Sequence, residues 1–397
     1  MSTQAAGREE AMPGGRIPAQ AAGREEPISG QRMSARAGGR EEAIPGEGMR
    51  AQADGLLDSL KLVQLTGHQR YGSVEVFHLS WPCSNGLDYA TLDESLAAGW
   101  IEITEFTDTG QVPRIKVVNR SQHMVFLMAG EQLVGCKQNR VLNASMMVPA
   151  QSEMPIPVTC VERGRWGYTS PSFSSARSSS HYRLREMMAY QAARSYRRSG
   201  VPSADQAAVW REVSRKVATL GSRSTSDALQ EVFKDRAKKL EESVEHLPAP
   251  PDCNGAVFVI GGRIAGADLF DKPDTLGKLW PKLIKSCTID ALETSTKTPA
   301  STTPEEILGW LERGAGARQE SFSSPGVGQD VRIEGEDLIG ASLVVDGHSI
   351  HMELFRRTEP SPALASANFT VEPQQPTGHQ GPSPDSSYRS WLRRIFS

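Results

Sequence analysis

The stretch GEQLVGCKQNRVLNASMMVPAQSEMPIPVTCVERGRW, residues 130–166, concentrates side chains that can do chemistry. Glu131 and Glu162 could form a general acid/base pair, which needs one carboxyl raised in pKa by an apolar pocket and the other kept charged. Cys160 is a further catalytic candidate, since an arginine-rich surround lowers a thiol pKa and the thiolate is the nucleophile, although no CxxxxxR phosphatase loop surrounds it. Arg140 and Arg165 suit a pyrophosphate, because a guanidinium fork donates two parallel hydrogen bonds to phosphate oxygens. Gln138 and Asn139 both donate and accept, which suits a ribose or an adenine edge, and Trp166 offers a stacking face. Each residue also has a plainer reading. Polar groups beside a sheet satisfy backbone and form ion pairs, such as Arg140 with Glu131 or Glu162, and a free cysteine is commonly a small buried hydrophobe.

Those residues must be positioned by strands. VLNASMMV and IPVTCV are too short for typical helices and are bounded by Gly or Pro. Alternation then puts Val158, Cys160 and Glu162 on one face and Thr159, Val161 and Arg163 on the other, and it points Gln138 and Arg140 together. Upstream, KLVQLTG, SVEVFHL, IEIT, RIKVVN and HMVFLMAGE read as strands, while Thr91 and Glu94 stand at capping-box spacing for a short helix. Downstream, SPSFSSARSSSHYR reads as a flexible loop. Val209, Val213, Val217 and Leu220 then form one helical stripe, and Leu229, Val232, Phe233, Leu240, Val244 and Leu247 another. Hairpins are expected at Gly261-Gly262 and Asp346-Gly347, a helix interrupted or restarted at Pro281, and a further helix over TPEEILGWLERGA. Strands and helices are grouped rather than alternating, so the class is α+β: a mainly antiparallel or mixed β-sheet core with an inserted helical segment, flanked by disordered tails.

The tails are read from composition. AAGREE begins at Ala5 and Ala21 and AGGREE at Ala37, a period of 16 residues too poor in apolar side chains to stack as a solenoid. The division is a disordered repeat-bearing extension over 1–55, one domain over 56–358, and a Pro/Ser-rich tail over 359–397. Of the 397 residues 23% are charged, with a net charge of −3, so no global field argues for nucleic acid or membrane. Five scattered cysteines without a CxxC pair fit neither a disulfide framework nor a zinc ribbon. No apolar run approaches the ~20 residues that span a bilayer, which makes a cytoplasmic protein the expectation.

Metal and cofactor signals are weak. His348 and His351 fall on opposite faces of a strand, so they should not share a metal. His351 and Glu353 share a face, which reads as a solvated strand face before it reads as a site. There is no Walker A motif, GGRIAG lacks the GxGxxG spacing, and the residues name no cofactor.

GEQLVGCKQNRVLN, IPVTCVERGRW, DQAAVW, GGRIAGADLFD with LWPKLIKSCTIDAL, and HMELF occur in this order. Together they resemble the ARG and rhodanese-phosphatase-associated protein domain, where ARG stands for ADP-ribosylglycohydrolase. The resemblance covers about Leu56 to Arg357 and implies one domain in the middle of the chain. It implies a setting in NAD-derived or ADP-ribose metabolism and assigns no reaction.

Two segments read as contact surfaces. The loop from Gly167 to Gly200 and the residues before it interleave Arg163, Arg165, Arg177, Arg183, Arg185, Arg194, Arg197 and Arg198 with Trp166, Tyr168, Phe173, Tyr182, Tyr190 and Tyr196. That is either a nucleotide or RNA surface or a basic exposed helix face. At the chain end, Tyr388, Trp391, Leu392 and Ile395 share a helical face with Arg389 and Arg393 on another, a segment that either folds on a partner, an acidic protein groove before an anionic membrane surface, or is a tail end that folds back on its own domain or stays disordered.

Overall fold

A computed structural model describes residues 55–83, 86–107, 110–294 and 302–357; the expected tails, with their repeats and the amphipathic end, lie outside them. The described residues form an α+β fold around three sheets.

An eight-stranded sheet has the spatial order Gln64–Tyr71, Val74–Ser80, Gly255–Ile260, Arg263–Phe270, His348–Arg356, Leu338–Val345, Gln329–Glu334, Arg318–Ser323, with every neighbouring pair antiparallel. Val74–Ser80 and Gly255–Ile260 are neighbours, so everything between them in the chain is an insertion that leaves the sheet and returns to it. The insertion carries a six-stranded antiparallel sheet ordered Phe173–Ser179, Glu131–Gly135, Arg140–Leu142, Ser152–Cys160, Arg114–Asn119, Ile101–Glu105. It also carries a small sheet in which Met124–Leu127 pairs parallel to Tyr89–Thr91 and antiparallel to Met146–Val148.

Both faces of the large sheet are covered. On one, Val76, Phe258, Phe270 and Phe355 pack with Trp280, Leu283 and Ile284 of the helix Pro273–Ala291 and with Tyr182 of the helix Tyr182–Ser199. On the other, Leu79, Val257, Leu269 and Leu354 pack with Trp310 and Leu311 of Pro304–Ala315 and with the 3-10 turn Leu57–Leu62. Strands buried on two faces need no alternation, which is why GAVFVI and MELF are nearly continuous apolar runs. Ile101–Glu105 and Arg114–Asn119 do alternate, as strands with one buried face should.

Local signals hold where partners are local. Thr91/Glu94 and Thr303/Glu306 are capping boxes, and Gly261-Gly262 and Asp346-Gly347 turn with positive φ at both residues. Three segments differ from expectation. The serine-rich loop contains the strand Phe173–Ser179, bulged where Arg177 has φ 52° and paired with Glu131–Gly135. The second stripe breaks at Arg236 into Leu229–Asp235 and Ala237–His246. Pro281 does not interrupt Pro273–Ala291. The carbonyl that its ring crowds belongs to Gly277, where a Cβ would meet nothing within 4 Å outside the helix's own backbone.

The strand that carries His351 and Glu353 lies tight against its neighbour. A Cβ at Gly340 would stand 2.2 Å from the Glu353 carbonyl oxygen. Gly340→Ala is therefore expected to destabilise the domain by about 1–3 kcal/mol in urea unfolding, as overpacking against backbone does; an unchanged midpoint would contradict this strand spacing.

Candidate functional site

Within the stretch 130–166, register sets the geometry. Leu133, Arg140 and Cys160 lie directly opposite one another across three strands, hence on one face, with Gln132, Val141 and Thr159 on the next rung and the other face. Arg140 is fully buried; it donates from Nη1 to Gln138 Oε1 at 3.2 Å and to the Cys160 sulfur, and its Nη2 lies 3.6 Å from Glu105. Burial pulls the Arg140 pKa below its usual value, although the Glu105 charge opposes it. Cys160 is itself closed off, and its backbone exchanges two hydrogen bonds with the Gln206 side chain, 2.9 and 2.8 Å, fastening the first turn of the helix Gln206–Thr219 to the sheet.

Arg165 is a clamp. Its Nε and Nη2 reach the two oxygens of Glu162 at 2.9 and 2.6 Å, and its remaining donors take Cys136 O, Gly167 O and Asn139 Oδ1 at 2.6, 2.9 and 3.1 Å. Glu162 also accepts from Ser226 Oγ at 2.7 Å and from the Asn139 backbone at 3.1 Å. Burial alone would raise the Glu162 pKa, but these donors and the Arg165 charge outweigh it and hold the carboxyl below its usual range. Glu131 belongs to a different network: it pairs with the buried Lys282 and accepts from Met128 N at 2.8 Å, and Lys282 also reaches Asp93 at 2.8 Å. Burial pushes the Glu131 pKa up against the pull of Lys282. The two glutamates share no hydrogen-bond or ion-pair partner. Of the eight singled-out residues, Trp166 faces solvent most openly, 50% exposed beside Tyr168 at 52%, with Lys137 Nζ 5.5 and 5.1 Å from their rings.

A second polar centre lies on the large sheet and was not legible as a site. Asp268, Glu353, Ala341 and Arg332 form one row across four strands, roofed by the helix Tyr182–Ser199. Tyr182 donates to Asp268 at 2.6 Å, and Arg185, one turn later, grips both Asp268 oxygens at 3.0 and 2.5 Å and Glu353 at 3.0 Å. His351 Nε2 lies 3.1 Å from Asp268 Oδ1 and Nδ1 lies 2.8 Å from Ser145 Oγ, while the ring stacks on Phe270 at 4.6 Å. His351 and Glu353, expected on a solvated face, are thus buried, whereas His348 points outward. Burial would raise the Asp268 pKa, but Arg185 and His351 overcompensate and hold it well below the carboxylate range. An ionised carboxylate only accepts, so His351 Nε2 donates to Asp268. The usable signal was a charge inside GADLF, a run otherwise fit for a strand buried on both faces.

Two concavities lie apart from these centres. One, about 650 Å³, is lined by Trp81, Cys83, Val331, Val344, His348 and Ser349 among others. Its thiol is pushed up to about 11 by burial, which makes it a poor nucleophile at neutral pH. The other, about 460 Å³, is lined by Tyr190, Arg194, Arg197, Arg198 and Glu334. Among the described residues, no three His, Cys, Asp or Glu are grouped to hold a metal ion.

Removing Arg185 would leave Asp268 buried without its counter-charge, so Arg185→Met is expected to cost about 3–5 kcal/mol at neutral pH. A carboxylate with a folded pKa below its unfolded value adds stability that is complete above the unfolded value and lost as pH falls through the folded one. In the variant burial raises that folded pKa, so the penalty is present near pH 7 and shrinks as acid protonates Asp268. Urea unfolding of both chains across pH 4–7 checks this; a penalty independent of pH would refute it.

No curated protein and no solved structure matches the chain. A family description does: that of the ARG and Rhodanese-Phosphatase-superfamily-associated Protein domain matches residues 62–355. The match runs from just before the first strand of the large sheet to the end of His348–Arg356, taking in both polar centres and the clamp. The chain belongs to this family.

Proposed function

We propose that the domain binds a nucleotide-like ligand of the ADP-ribose or NAD-derived class on the surface made by Trp166, Tyr168 and Lys137. The observation that carries the reading is the exposure of Trp166 and Tyr168, about half open to solvent, beside a lysine within reach of both rings. An exposed pair of aromatic faces is a platform for a base, and an ammonium beside it complements phosphate. Gly110 packs close under this surface, where a Cβ would stand 3.1 Å from Lys137 and 3.2 Å from Trp166. Arg165, Asn139 and Glu162 take the role of scaffold, because their hydrogen bonds already hold the turn that presents Trp166. The ligand class itself rests on the family setting.

Calorimetric titration with ADP-ribose, NAD and nicotinamide mononucleotide tests the reading. Binding is expected, with Trp166→Ala weakening it by about 1–3 kcal/mol through lost stacking. Lys137→Ala should weaken phosphate-bearing ligands while thermal stability changes little. No heat with any of the three would reject the ligand class.

The groove at the end of the helix Tyr182–Ser199 favours a second reading, a non-catalytic module contacting RNA or an acidic protein. Arg194 donates to Tyr190 Oη at 3.0 Å and lies over its ring, and Arg197 is paired with Glu320 and, at 2.8 Å, with Glu334, so the groove presents a basic and aromatic surface completed by Arg198. For RNA, Arg194→Ala and Arg198→Ala should each weaken association and lower its salt slope by about one. Unchanged binding in both would remove this groove as the contact.

A further inference from the structure

Ser145, His351 and Asp268 form a continuous chain of hydrogen bonds, 2.8 Å from Ser145 Oγ to Nδ1 and 3.1 Å from Nε2 to Asp268 Oδ1. We propose that Ser145 is a nucleophile with His351 as its general base, giving the domain a hydrolytic activity toward short-chain acyl esters. Exposure is graded as such a centre requires: Asp268 and His351 are closed off at 0% and 1%, while Ser145 is partly exposed. With Nε2 donating to Asp268, the neutral imidazole presents Nδ1 as the acceptor for the hydroxyl proton. Ser145 Oγ accepts from Ala129 N at 2.9 Å, which occupies one of its two lone pairs and leaves the other for attack. The imidazole cannot swing away, because Phe270 stacks on it and Phe126 meets it edge-on at 5.8 Å. The residues beside the hydroxyl, Ala129 through its N–H and Ala144 as chain neighbour, carry only methyl groups, which favours a short acyl group such as acetyl over a bulky one.

In the reaction, Ser145 Oγ forms a bond to the ester carbonyl carbon while its proton passes to His351 Nδ1. The bond to the leaving oxygen breaks and that oxygen takes the proton, leaving an acyl-serine and an alcohol. Water then gives a proton to His351 as it attacks the acyl-serine. Release of the acid returns that proton to Ser145. No metal or redox partner enters the balance. The inference is independent of the nucleotide reading, since none of these residues belongs to the Trp166 surface.

The full chain is tested with p-nitrophenyl acetate and with a fluorophosphonate probe whose adduct is mapped by peptide mass spectrometry. Ester hydrolysis above buffer and an adduct on the peptide containing Ser145 are expected. Ser145→Ala should abolish both with its circular-dichroism melt retained. His351→Asn keeps an acceptor near Ser145 without a base and should slow hydrolysis by about 100-fold or more. A folded wild-type chain that neither hydrolyses the ester nor takes the probe overturns the proposal. So does an adduct on another residue or one that persists in Ser145→Ala. Adduct mapping needs only the wild-type chain, so it decides even if a variant unfolds.

Discussion

The pairing of Arg185 with Asp268 is the interaction on which the arrangement of this domain depends. Asp268 stands on a central strand of the large sheet with no solvent access, and an ionised carboxylate there costs several kcal/mol unless its lone pairs are filled. Its donors are Arg185, Tyr182 and His351, and two of the three come from the helix Tyr182–Ser199, deep in the insertion. The clasp therefore ties the inserted layer back to the sheet it left. It also demands room: Gly130 has φ 84°, and a Cβ there would stand 2.9 Å from Arg185 Cγ. The glycine of GEQLVG is a condition of the ion pair as much as of the turn.

Other buried charges repeat the device at other seams. Lys216 meets Asp290 and Glu293 at 2.5 and 2.9 Å, joining the helix Gln206–Thr219 to the end of Pro273–Ala291. Lys282 ties that same long helix to Glu131 and Asp93, and Tyr196 of the helix Tyr182–Ser199 donates at 2.9 Å to Asp330, whose charge Arg332 of the same strand answers. Apolar faces tolerate small slides, whereas a desolvated charge is satisfied at one alignment only, so these pairs select a single docking of layers whose apolar packing would admit several.

This arrangement bears on the stretch 130–166, where polar density first pointed to chemistry. Glu131 faces the long helix, Glu162 faces Arg165, and Arg140 faces Glu105, so the density is largely the underside of three separate seams. Among its large side chains Trp166 is open to solvent, next to the exposed Tyr168 and the half-buried Lys137. The proposed ligand surface is placed there, on the aromatic side chains and the lysine, with Arg165 supporting the turn that carries Trp166.

Elements whose causes lie within a few residues were legible in the sequence. Thr91 with Glu94 starts a helix, TPEEILGWLERGA forms another, the Gly-Gly and Asp-Gly turns close hairpins, and period-two runs form the antiparallel sheets. Phe173–Ser179 was not legible, because serines carry little strand preference and form one here only by pairing with Glu131–Gly135. The polar centre was not legible for the same reason. Asp268 and His351 are 83 residues apart and Ser145 and His351 are 206 apart, and alternation says which residues share a face without saying what that face meets. The sequence by itself determined the α+β class, most element types and which strands are apolar throughout. Only the tertiary structure decided that His351 and Glu353 are buried and which charge answers which, because burial and pairing are properties of packed layers that local chain preference does not contain.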